Sequence, residues 1–156
     1  MDQESLIKAI KRAIDNPAFR SKPDGTTFCN LFCQQILNDL GCHDLDGLIA
    51  REMGEKVLDL IALSGDSMVS WQEVTWQKSI EIAKIGYPVL GWSPCLLEEH
   101  GHVVIIAPEE PELSKTFGGL VPMCASISRY PFENRIQKIS EAYRIADKPR
   151  YLAWLG

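Results

Sequence analysis

The chain has 156 residues, 46% apolar and 24% charged, which suits a single globular domain with its own hydrophobic core. A net charge of -5 excludes the basic footprint of a nucleic-acid binder, and no apolar run approaches the roughly 18 residues of a membrane span. Cysteines at 29, 33, 42, 95 and 124 are odd in number and lack a repeated CxxC or zinc-type spacing, so reduced thiols and no metal site are expected.

Residues 1–5 lack a basic stretch followed by an apolar one, so no signal peptide is visible. The expectation is synthesis in the cytoplasm, with a non-classical, phage or secretion-system export route left open. Residues 4–15 place Leu6, Ile7, Ile10 and Ile14 at helical spacing, and Asn16-Pro17 ends that helix. A Pro-, Asp- and Gly-containing loop over 18–26 then feeds a second helix. There residues 29, 32, 33, 36, 37 and 40 share one apolar face, Thr26 or Thr27 can cap the start, and Gly41 stops the end.

Residues 44–63 read as a further helical region broken near Gly54, followed by a turn at 64–66. The segment 71–76 leads into a helix over 77–84 that Gly86 terminates. The pattern then becomes extended. Residues 87–92 and 102–107 read as strands, the second apolar enough to be central; 108–119 reads as a loop. A third strand is expected over 120–126, with Pro122 favouring its edge or start. Residues 133–146 read as a late helix or an irregular return, and 149–155 as a last strand. Helices first and strands second, with no linker or repeat, predict one α+β domain over 1–156, its N-terminal helical half packed on a small antiparallel sheet.

Two stretches carry chemistry. Cys29 opens the second helix, where free main-chain amides and the positive dipole end favour a thiolate, and this is one physical route to a nucleophile. His102 follows Gly101 at the start of a β-rich run, where an imidazole can ionise a nearby thiol and later protonate a leaving amine. Taken alone, the first fits a small core residue equally well, and the second a strand-end histidine.

In order, TTFCNLFCQQIL, WQEVTWQKSIEIAKIGYPVLGW and GHVVIIAP resemble the papain-like cysteine amidases and peptidases of the NlpC/P60 and CHAP type, over roughly residues 24–107. The resemblance implies a papain-like fold, Cys29 as nucleophile, His102 as general base and acid, and no cofactor. It also implies an amide or peptide bond of peptidoglycan as the target. The family's third catalytic member is a polar residue on the strand after the histidine. That strand here offers no Asp, Glu, Asn or His, and Ser126 is the choice by polarity, with Ser128 behind it. Thr27, Asn30, Trp92 and His100 are the candidate substrate contacts. A silent papain-like binding module, or a thiol acyltransferase, are the alternatives, and the sequence does not say whether an inhibitor or immunity protein exists.

Overall fold

The computed structural model describes residues 1–24, 27–64, 70–95, 101–128 and 131–156. Helix α1 (Gln3–Asp15) is capped by the Asp2 carboxylate, which accepts from the Ser5 amide at 2.8 Å; Leu6, Ala9, Ile10 and Ala13 form its buried stripe. Helix α2 (Cys29–Asp39) buries Phe32, Cys33, Ile36 and Leu37 completely or nearly so. Its N-cap is Phe28, with no side-chain cap; the expected capping residue Thr26 lies outside the described residues, as does part of the turn at 64–66.

Helix α3 (Ala50–Leu63) starts later than the sequence suggested and runs unbroken through Gly54. The glycine is there for space. A Cβ on Gly54 would lie 2.0 Å from the indole ring of Trp92, so the helix touches the sheet through its own backbone. The next element was missed from sequence as well: Trp71–Val74 is a strand, β1, before helix α4 (Trp76–Lys84). Strands β2 (Val89–Ser93) and β3 (His102–Ile106) are where the apolar runs put them.

The expected strand over 120–126 is two strands. Gly119–Val121, β5, pairs with Glu112–Ser114, β4, in a separate hairpin, and Met123–Ser126, β6, joins the main sheet. Pro122, which has no N–H to donate to a ladder, stands at the break. The segment 133–146 contains strand β7 (Arg135–Lys138), the short helix α5 (Ile139–Ala142) and the first residues of a 3-10 turn, Ile145–Asp147. Strand β8 (Arg150–Trp154) completes the set.

The main sheet has six strands in the order β1-β8-β2-β3-β6-β7, and all its pairings are antiparallel. Successive residues of β2 point to opposite faces. Trp92 packs on α3 and donates from Nε1 to the Ala50 carbonyl at 2.8 Å, whereas a Cβ at Gly91 would meet Ile139 of α5. Helices α3 and α5 therefore pack on opposite faces of the sheet. Together the helices and the antiparallel sheet make an α+β fold. Among the described residues no helix is long and apolar enough to cross a membrane.

Candidate active site

The register of the sheet explains how Cys29 meets it. Strand β3 pairs with β2 as far as Ser93↔His102, but its ladder with β6 covers only Ile105↔Ala125 and Ile106↔Cys124. Just beyond that ladder, the Ala107 amide donates to the Met123 carbonyl at 2.9 Å, so the odd positions of β3 turn their amides toward β6. Towards the start of β3 that pairing stops, and the Val103 amide is instead near enough to the Cys29 thiol to favour its charged form. The Asn30 amide, the thiol's own amide and the Thr27 hydroxyl act in the same direction. The N-terminus of α2 is thus plugged by its cysteine into the wedge where two strands part.

Burial works against these donors. Cys29 is only 7% exposed, and desolvation pushes its thiol above the ordinary value although the amides of Val103, Asn30 and Cys29 itself pull it down. The helix start was expected to favour the thiolate; in the closed structure the neutral thiol prevails. Cys33, one turn deeper and fully buried, is raised further, again mainly by burial.

His102 is the residue before Val103 on β3. Its ring packs against that of Tyr143, with centroids 5.0 Å apart, on the α5 face of the sheet. The Tyr143 hydroxyl is shared between the carbonyls of Gly91, at 2.5 Å, and His102, at 3.2 Å, so it ties β2 and β3 together beneath the imidazole. Gly101, at φ +66°, lies where a Cβ would come within 3.1 Å of the Arg51 backbone and the Ser93 carbonyl, and this close approach sets where β3 begins.

A cleft of about 990 Å³ opens here, lined among others by Thr27, Cys95, His102, Ser128 and Tyr143. Thr27 is exposed and lines it. The remaining candidates divide. Asn30 donates its side-chain amide to the Leu48 carbonyl at 3.1 Å and so anchors the loop before α3. Trp92 is 3% exposed beneath Gly54, a core residue rather than a groove wall. His100 lies outside the described residues. Ser126 is buried and accepts from Gln137 Nε2 at 2.6 Å. Ser128, in contrast, lines the cleft with a buried Oγ that has no hydrogen-bond partner among the described residues.

Among the cleft residues not singled out from sequence for the site are Cys95, Tyr143 and Arg135. Cys95 is a non-glycine residue at φ +45°, its amide donating to Ser93 Oγ at 3.2 Å. Only the strained backbone marks it, and that is invisible in the sequence. Tyr143 and Arg135 come from the stretch whose structure the sequence left open.

Among the described residues no group of three His, Cys, Asp or Glu side chains is arranged to hold a metal ion. Fold and site together define an α+β protein with a helix-opening cysteine set into a parted sheet beside a histidine-bearing cleft. No family model matches the chain, and no curated protein is significantly similar to it.

Proposed function

We propose that this chain is a cysteine-dependent amide hydrolase of the papain-like kind, with Cys29 as nucleophile and His102 as general base and acid. The observation that carries the reading is the position of the Cys29 sulfur. It sits at the first residue of α2, near main-chain amides that favour its charged form, among them that of Val103, the residue after the histidine that lines the cleft. In the reaction the thiol proton passes to the imidazole as sulfur attacks the amide carbonyl. The amine leaves with that proton, and water, activated by His102, hydrolyses the thioester to a carboxylic acid and free thiol. The amide of Cys29 at the helix start would donate to the developing oxyanion once the sulfur moves onto the carbon. The sequence resemblance to NlpC/P60 and CHAP enzymes supports a peptide of bacterial cell wall as substrate.

The test is the pH dependence of Cys29 alkylation, resolved by peptide mass spectrometry, in wild type and His102→Ala. With the pair in place, the midpoint of the wild-type profile lies below that of the variant. Identical profiles, or a Cys29 inert up to alkaline pH in both proteins, remove the catalytic reading. One observation favours a second reading, a silent module that binds a partner through the same cleft: the sulfur is nearly closed off, and its thiol is raised by burial. An inert Cys29 would make that reading the leading one.

A further inference from the structure

The described residues that line the cleft differ from the chain as a whole in the sign of their formal charge. The chain carries a net charge of -5, yet the described residues lining the cleft include Lys22, Arg135 and Arg144 against Glu141 and Asp147, and so are net positive. Lys22 and Arg135 stand at the end where β6 and β7 run on past Ser126, which pairs with Arg135. There Ser128 is held through its main chain. The Ser21 hydroxyl donates to the Ser128 carbonyl at 2.8 Å, and the Ser128 amide donates to Asn134 Oδ1 at 3.2 Å. Asn134 in turn donates to the Phe19 carbonyl at 3.3 Å. Both main-chain groups of Ser128 are thereby satisfied, while its buried side-chain Oγ, on a cleft-lining residue only 6% exposed, has no partner among the described residues.

A buried hydroxyl without a partner is costly unless a ligand completes it. Arg135 uses Nε on Gln137, at 3.1 Å, and its two terminal nitrogens are a fork suited to a planar anion. Lys22 lies with Nζ 5.3 Å from the centre of the Phe28 ring, the residue that caps the cysteine helix. We propose that Ser128, Arg135 and Lys22 form a subsite for a carboxylate group of a peptide bound in this cleft. The near-balance of cleft charges suits one singly charged group rather than a dianion such as phosphate. This inference rests on the reading that the cleft beside Cys29 receives the substrate, and it gives that substrate a specific feature, a free carboxylate near the bond presented to the thiol.

The test uses the full chain with Cys29→Ala, which removes turnover, and the wild type in parallel. Acetyl-alanyl-alanine and its C-terminal carboxamide are titrated, and binding is followed by amide chemical shifts. The free acid binds about tenfold more tightly than the carboxamide, the factor expected of one charge-assisted contact. In the double variant Lys22→Gln/Arg135→Gln, both at exposed positions, that preference falls to near unity. Ser128→Ala, which breaks no hydrogen bond among the described residues, weakens the acid severalfold and leaves the carboxamide unchanged. Equal binding of acid and carboxamide overturns the subsite, as does no binding of either, or a preference that survives the double variant. Stronger displacement of the acid by inorganic phosphate than by acetate also overturns it, since the site would then select charge rather than the carboxylate. The alkylation experiment fails or succeeds separately. A reactive Cys29 without acid preference leaves the hydrolase and removes the subsite; acid preference with an inert Cys29 does the reverse.

Discussion

Ser126 and Ser128 are two residues apart and both buried, yet their hydroxyls differ in what removal would do. Ser126 Oγ accepts from Gln137 Nε2, so Ser126→Ala strands a buried amide and costs roughly 1–3 kcal/mol. Ser128 Oγ has no partner among the described residues, so Ser128→Ala is neutral or slightly stabilising. Urea unfolding of the two variants separates them; an equal loss in both would show that Ser128 has a bond the geometry does not give it. The sequence could offer Ser126 only because it was the first polar residue on the right strand. Which of two serines has a spare hydroxyl depends on Gln137, eleven positions further on in a strand not recognised from sequence. Cys29 and His102, by contrast, stand at the element boundaries the local pattern marks, a stripe that begins and a β run that begins. The stripe already marked Cys29 for burial; its place beside β3 was not legible, because it depends on where the ladder of β3 with β6 ends.

Elements were legible where their periodicity was strong and local. The stripe of α1, the apolar run of β3 and the final strand are where the pattern put them. The four-residue strand β1 was not, since Trp71–Val74 is extended only because it pairs with β8, some eighty positions away: Trp71↔Trp154 through Val74↔Tyr151. Glu73 and Arg150 add a two-pronged ion pair to that seam, Arg150 Nε and Nη2 reaching the carboxylate at 2.7 and 2.6 Å. Both side chains are near half exposed, so the pair contributes at most about 1 kcal/mol. Gly54 shows the opposite failure. A glycine in a helical pattern suggested a break, but the helix continues and the missing Cβ admits the Trp92 ring. In an exposed helix Gly→Ala would stabilise by about 1 kcal/mol. Here Gly54→Ala is expected to lose about 3 kcal/mol or more, because the added carbon would overlap a buried indole held by its bond to Ala50. A variant as stable as wild type in chemical denaturation would refute the packing account.

At the scale of the molecule, all five cysteines are buried and none is in a disulfide. Cys29, Cys33, Cys42 and Cys124 are all raised above the ordinary 9.0, burial being the first cause in each, and Cys42 reaches about 12. Folding therefore favours the protonated thiol. Its contribution is intact below about pH 9, where unfolded thiols begin to ionise, and is lost as pH rises through the folded values. Stability should fall from pH 9 to 11 by up to about 1.4 kcal/mol per thiol per pH unit, and less steeply in Cys42→Ala. A urea midpoint constant over that range would contradict it. The sheet order has a further consequence, for the timing of assembly. Strand β8 lies between β1 and β2, so the neighbours it joins are made long before it and wait with open edges. While the chain is being synthesised, β2 can pair with β3, but β1 has no partner until Arg150–Trp154 has left the ribosome. Such a late, long-range closure makes for slow folding, and it leaves a nascent chain whose exposed strand edges are open to chaperones and to one another.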